Sequence, residues 1–289
     1  MSTTPLVSIV TLAFNHGRYL RQCLDGFVMQ ITDFTFEVII HDDASTDDTA
    51  QIIREYEEKY PHIFRPIYQI ENQYSKGVAI GATYLYPAVR GKYICECEGD
   101  DWWTDPYKLQ KQADFLEAHP EYSLCCTAYG SMRMRDGFVK DEKGTETDIT
   151  MRQLMKKNLI GTLTVMYRKE LHQEYMEQVL PVMPKFRMGD IPLWLFMASK
   201  GKIRKLADQT AMYRKLEYSA SHSDDFDRQL EFLLDASRIR LWMNGYLAAG
   251  YALYLKMIMY SDVFSFCRKW SRSHGGRMTD LWKKAIKHI

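Results

Sequence analysis

Three carboxylates stand within four residues at Glu98-Gly99-Asp100-Asp101, and Trp102-Trp103 follow at once. They come directly after Gly91-Lys92-Tyr93-Ile94-Cys95, an apolar pattern that reads as a strand. Side chains at a strand's carboxyl end project from the sheet edge, where open α/β sheets bind ligands. Adjacent carboxylates repel one another unless a cation lies between them. An all-oxygen ligand set suits Mg²⁺ or Mn²⁺, ions that usually pair with substrate phosphates. Taken alone, the same run reads more readily as an acidic turn solvated by water.

Two further groups stand at comparable places. Thr11-Leu12-Ala13-Phe14-Asn15-His16 ends a β-branched run, Leu6 to Leu12, and feeds a helical pattern. Such a unit puts backbone N–H groups at a ligand's edge. No GxGxxG and no GxxxxGK[ST] is present, so neither a dinucleotide fold nor a P-loop is supported. Asp42 and Asp43 end a second strand, Phe36 to Ile40, where two acids can accept hydrogen bonds from a base N–H and from ribose hydroxyls. Helix capping is the alternative there, with Ser45 or Thr46 as cap of the next helix. Asp190, between Gly189 and Ile191-Pro192, sits at a helix start and reads by itself as a plain N-cap.

These groups need a scaffold, and the chain supplies strands alternating with helices. Helical spacing covers Tyr19–Met29, Thr49–Lys59 and Lys108–Ala118, and strands are expected at Phe64–Ile70, Tyr93–Cys97 and Ser123–Ala128. Further on come a polar loop or weak hairpin (133–150), a short helix (151–157), a strand (163–167), helices (171–179 and 190–199) and a last strand (203–207). The alternation predicts a mainly parallel sheet covered on both faces. After Arg214 the character changes, and 226–260 is long, helical and rich in Leu, Met and Tyr.

The chain of 289 residues has a formal net charge of +1, which argues against a general nucleic-acid binder. No run approaches the roughly 18 apolar residues of a membrane span. The opening Met1-Ser2-Thr3-Thr4-Pro5 has no basic n-region, so no signal peptide is expected. Six cysteines without a CxxC pair make neither a disulfide scaffold nor a zinc site, and a reducing cytoplasm is the expected setting.

Taken in order, the segments VSIVTLAFNHGRYL, FEVIIHDDASTDDT, NQYSKG and GKYICECEGDDWWTDPYKLQKQADFLEAHPEYSLC resemble a family 2 glycosyltransferase of the GT-A fold. The likeness is strongest to bacterial members that build surface polysaccharides; it is dense over 5–130 and thinner to 222. It implies an α/β GT-A domain over 1–222 and a helical extension over 223–289. It also implies that Thr11, Ala13 and Asn15 line a nucleotide pocket. Asp42 would read the base with Asp43 beside it, and Asn72 and Lys76 would lie near base and diphosphate. Glu98-Gly99-Asp100 occupies the place of the family's DxD. There Glu98 would meet ribose, Asp100 would bind Mg²⁺ or Mn²⁺, and Asp101 would lie close to the donor sugar. Glu98 departs from the family's usual Asp. Asp190 would be the general base, with Gly189 where the family usually has Glu. His222 would reach the metal and Arg214 would steady the leaving phosphate; an exposed loop histidine and a structural salt bridge are the plain alternatives.

The implied activity is inverting transfer of a sugar from a nucleotide-sugar, UDP-linked by preference, to a glycan or lipid-linked acceptor. A nucleotidyltransferase and a non-catalytic binding module are the alternatives. The first would need a Gly-rich basic loop that Phe14-Asn15-His16-Gly17-Arg18 matches poorly. At most one of Trp102 and Trp103 is expected to stack on a sugar, core packing being the commoner fate. The tail 263–289 carries seven Lys/Arg against one acid, with Phe264, Phe266, Trp270 and Trp282. It suits the surface of an anionic membrane, so a peripheral place at the inner membrane is one expectation and a solvated basic helix the other.

Overall fold

The computed structural model describes residues 4–141, 144–216 and 225–288. The chain divides into two compact units. The first holds Met1–Ile149, Ile160–Pro181 and Lys200–Lys215; the second holds Thr150–Leu159, Val182–Ser199 and Leu216–Ile289. The boundary expected at residue 222 falls outside the described residues.

The first unit opens with β1 (Val7–Ala13), α1 (Gly17–Val28), β2 (Phe36–Asp42), α2 (Thr49–Lys59), β3 (Phe64–Tyr68) and β4 (Tyr93–Glu96). It continues with β5 (Trp102–Trp103), α3 (Lys108–Ala118), β6 (Tyr122–Arg133), β7 (Val139–Lys140) and β8 (Thr147–Asp148). After α4 (Met151–Lys156) of the second unit come β9 (Met166–Arg168) and α5 (Lys169–Gln178), then α6 (Asp190–Lys200) and β10 (Lys202–Lys215).

Among the described residues ten strands form one sheet, in the order β3-β2-β1-β4-β9-β6-β10-β5, with β7 on β6 and β8 on β10. β3, β2, β1 and β4 are mutually parallel, β9 runs antiparallel between β4 and β6, and β6 and β10 are parallel. From β1 the chain turns to β2 on one side and later to β4 on the other. That reversal opens a crevice at the carboxyl ends of the strands, the usual ligand position in open α/β sheets. β1 and β2 are buried almost throughout, and their Val/Ile-rich sequences suit strands covered on both faces.

The amphipathic face of α1 carries Leu20, Cys23, Leu24 and Phe27 into the core at helical spacing. There Phe27 meets Trp103 edge-on, with ring centroids 4.8 Å apart. Gly26 lets the two backbones approach, because a Cβ at that position would lie 2.9 Å from the Trp103 amide nitrogen. Beneath β1, the buried Glu37 carboxylate accepts hydrogen bonds from Ser8 Oγ (2.7 Å), Arg90 Nε (2.7 Å) and Arg65 Nη1 (3.1 Å).

Several expectations are corrected. The helix after Asp48 has no side-chain N-cap, and Ser45 and Thr46 instead engage Asn15. The two-residue strand β5 is too short for any periodicity to reveal. β10 runs far past Ala207 because it pairs with β6 as far as Lys215. The 133–150 stretch contributes β7 and β8, each two residues long. All six cysteines are free and buried.

In the second unit, the helical stretch expected over 226–260 is present. It breaks between α7 (Phe226–Tyr246) and α8 (Ala252–His274), and α9 (Met278–Ile286) follows. Ala248 (φ 49°) and Gly250 (φ 77°) take left-handed conformations that a helix cannot continue through. Asn244 Oδ1 then accepts the Tyr251 N–H at 2.6 Å. Leu230, Leu234, Met259, Val263, Cys267 and Ala285 join the three helices in a small core.

Candidate active site

A cleft of about 550 Å³ opens where β1 and β2 end and the loop after β4 begins. Leu12 and Ala13 line it from the end of β1, Phe14 and Asp43 from just past β1 and β2, Asn72, Tyr74 and Ser75 from the loop after β3, and Glu98 and Asp100 from the acidic loop; His16 and Ile80 complete it. Phe14 and Tyr74 present exposed aromatic faces.

The walls are held by side chains acting on backbone. Asp43 accepts the N–H groups of Gln73 (2.8 Å) and Tyr74 (3.0 Å), and Asn72 Nδ2 donates to the Asp43 carbonyl at 3.2 Å. Asn72 Oδ1 also accepts the Ser75 N–H at 2.7 Å, which closes the turn. Asn15 (φ 54°) clasps two loops: its N–H reaches Ser45 Oγ at 2.9 Å and its Oδ1 accepts the Thr46 N–H at 2.8 Å. The first free amides of α1 are met by Thr49 Oγ1 and Asp47 Oδ2.

Glu98, Asp100 and Asp101 each place a carboxylate oxygen within 4.8 Å of the others. Burial pushes the Asp101 carboxyl well above the usual carboxylate range, with Asp100 and then Glu98 adding to the rise against the Arg214 N–H. An oxygen-only set carrying this excess of negative charge fits a hard divalent ion such as Mg²⁺ or Mn²⁺, which would relieve it. Arg214 sits behind the loop. Its backbone N–H donates to Asp101 Oδ1 at 2.7 Å, and its guanidinium donates to the Asp100 carbonyl (2.7 Å) and Gln22 Oε1 (2.6 Å). The guanidinium carbon lies 4.5 Å from the ring centroids of both Tyr19 and Trp102. A desolvated cation between two aromatic faces is held firmly in place.

In the second unit, Asp190 opens α6 and its Oδ2 accepts a hydrogen bond from Asn158 Nδ2 at 2.7 Å. Burial raises its carboxyl, and the Ile191 amide and Asn158 hold it down, with a smaller pull from Arg240.

Of the residues singled out in the sequence, Ala13, Asp43, Asn72, Glu98 and Asp100 come together on the cleft. Thr11 is buried, its Oγ1 without a partner among the described residues. Asn15 serves the loop clasp. Asp42 is buried and accepts the Ser45 N–H at 3.2 Å. Lys76 is ion-paired with Glu71 and half-exposed. The Gly99 N–H donates to the Leu12 carbonyl at 3.0 Å, and a Cβ on Gly99 would lie 2.8 Å from His16 Nδ1. Asp101 and Arg214 lie behind the cleft wall, and His222 lies outside the described residues. Neither tryptophan is open to a sugar, and core packing is the fate of both: Trp102 lies under Arg214, and Trp103 is in the core with Nε1 on the Leu163 carbonyl at 2.9 Å. Leu12, Phe14, His16, Tyr74, Ser75 and Ile80 also line the cleft and are not singled out by the sequence; all but Ile80 lie inside the motifs, but nothing local marks which side chains point inward. Burial pushes the His16 imidazole down against the pull of Asp100 and Asp47.

A protein of Mycobacterium tuberculosis described as uncharacterized is 38% identical over 230 residues, 77% of this chain and 62% of that protein. The chain thus spans less than two thirds of that relative's length. The UDP-Glc:alpha-D-GlcNAc-diphosphoundecaprenol beta-1,3-glucosyltransferase WfaP of Escherichia coli is 27% identical over 196 residues, 68% of this chain and 71% of WfaP. Residues 1–349 of S. aureus TarS, crystallised with UDP-GlcNAc, share the fold at a TM-score of 0.68 and 17% identity, covering 97% of this chain and 79% of that one. The family profile described as "Glycosyl transferase family 2" matches residues 8–176. The chain, a GT-A fold with a helical C-terminal region, belongs to glycosyl transferase family 2.

Proposed function

We propose that this chain transfers a sugar from a UDP-sugar to an acceptor hydroxyl on a glycan or lipid-linked saccharide, with inversion at the anomeric carbon. The observation that carries the reading is the convergence of Glu98, Asp100 and Asp101 beside a cleft at the β1/β4 reversal. Support for the donor comes from the UDP-GlcNAc bound by TarS, and for a lipid-linked acceptor from the name of WfaP.

In this reading the Asp43-held loop and the faces of Phe14 and Tyr74 bind the nucleoside, with stacking on aromatic rings supplying much of the affinity. Asp100, with Glu98 and Asp101, would hold Mg²⁺ or Mn²⁺, whose chemistry is electrophilic stabilisation of the diphosphate. Arg214 fixes the Asp100 carbonyl and so the course of the acidic loop. Asp190 takes the proton from the acceptor hydroxyl as its oxygen attacks the anomeric carbon. A carboxylate raised by burial is suited to that step, because a base works best with a pKa nearer the operating pH.

Thermal shift across nucleotides and nucleotide-sugars, with and without Mn²⁺, tests the donor side. A metal-dependent shift with UDP or a UDP-sugar that Asp100→Ala abolishes supports the transferase. A shift with nucleoside triphosphates alone points to nucleotidyl transfer. No shift with any nucleotide, from folded protein, points to a non-catalytic module.

A further inference from the structure

The second unit shows an outward face that the site does not use. On α8, Leu253, Met257, Tyr260 and Phe264 recur at i, i+4, i+7 and i+11, one helical stripe. They are 75%, 64%, 46% and 46% exposed, while a separate stripe, Leu255, Met259, Val263 and Cys267, fills the core. The Phe264 ring meets Trp282 of α9 edge-on at 5.5 Å, and Ile286, one turn beyond Trp282, is also exposed. The stripe therefore continues onto α9.

Its surroundings carry one sign of charge. Lys256, Arg268 and Arg272 on α8, Lys283 on α9 and Lys287 just past its end are exposed, and none is in an ion pair among the described residues. The single acid of α8, Asp262, is half-buried and interacts with Arg240 and Lys156 instead. The single acid of α9, Asp280, is paired with Arg277. The aromatic residues of the tail divide accordingly. Phe266 and Trp270 pack inward on Phe226, and Phe264 faces out.

We infer that the α8–α9 face docks on an anionic lipid surface, with Leu253, Met257, Tyr260 and Phe264 entering the interface and the lysines and arginines over the headgroups. Apolar wedges ringed by cations and free of unpaired carboxylates complement such a surface. Among the described residues no helix is long and apolar enough to cross a membrane. The inference deepens the transferase reading, because a lipid-linked acceptor is presented at such a surface.

The test is sedimentation of the purified protein with phosphatidylglycerol vesicles and with phosphatidylcholine vesicles, alongside the metal-dependent UDP shift. Binding to the anionic vesicles should be at least about tenfold stronger, and raised salt should weaken it. Met257→Glu/Phe264→Glu should lose about tenfold or more, since it removes two wedges and adds two like charges to the lipid. The UDP shift of that variant should be unchanged, which also shows that it is folded. Equal binding to both vesicles, binding that the variant retains, or no binding at physiological salt overturns the inference. So does a dimer in solution that the variant converts to monomer, because a second copy would then occupy the face. Vesicle binding without any nucleotide shift would leave this surface standing and remove the transferase reading.

Discussion

Asn158 and Asp190, thirty-two residues apart in sequence, meet in the second unit with Asn158 Nδ2 donating to Asp190 Oδ2 at 2.7 Å. The amide stabilises the charged carboxylate, while burial acts in the opposite sense and is the larger influence. Removing the amide therefore raises the Asp190 pKa further. If Asp190 is the base, it must be charged to act, so the acid limb of the kcat–pH profile should move to higher pH in Asn158→Ala. Asp190→Asn should lower kcat by roughly 10²–10⁴-fold, the usual contribution of a positioned base, with the UDP shift intact. An unmoved acid limb in Asn158→Ala would remove Asp190 from that role.

Asp100→Ala should abolish the Mn²⁺-dependent part of nucleotide binding. At a ligand concentration of 100 times Kd, binding stabilises the native state by about 2.7 kcal/mol, so the lost shift is readily seen. The variant's unliganded melting temperature should not fall, because removing one of three crowded carboxylates relieves repulsion. A nucleotide shift that survives in Asp100→Ala would place the metal elsewhere.

The limits of the sequence are physical and show at particular residues. Val7–Val10 and Val38–Ile40 announce buried strands because they are short, apolar and rich in β-branched residues, and the acids of 98–101 are legible because they are neighbours in the chain. Asp43 was visible as an acid at a strand end. Its hold on the Gln73 and Tyr74 amides was not, since that pairing spans thirty residues and is set by loop closure. Arg214 lay within a candidate stretch, but its place between Tyr19 and Trp102 depends on β5 pairing with β10. Trp102 and Trp103 illustrate the same point. Following an acidic motif, they could face a sugar or the core, and only the two-residue strand decides for the core. The break at Ala248–Gly250 is marked only by Gly250 amid helical spacing, a signal that periodicity outweighs, and Gly245 five residues earlier stays inside α7.

Asp43→Ala tests the loop. It removes two hydrogen bonds from backbone amides to a carboxylate, each worth about 1.5–3 kcal/mol, part of which water recovers. The Asn72–Lys76 turn should loosen, and donor KM should rise by about ten- to a hundredfold with a much smaller change in kcat. Equal falls in kcat and kcat/KM would mean instead that Asp43 acts only in the transition state.

Glu37 gives a pH-dependent stability that is independent of the site. Burial works to raise its carboxyl, but hydrogen bonds from Arg90, Ser8 and Arg65 outweigh it and leave the pKa below the ordinary value. A carboxyl depressed on folding contributes stability above its unfolded pKa of about 4.3, and loses it as pH falls through the folded value. Both arginines are about half-exposed, so solvent screens them and the net contribution is modest. Glu37→Gln keeps the shape and removes the charge, and should cost about 2 kcal/mol at pH 7 in urea unfolding. The difference between wild type and variant should hold at that size down to about pH 5. It should then shrink below about pH 4, as the wild-type carboxyl takes up its proton. A difference that stays constant through that range would mean that Glu37 acts by packing and not by charge.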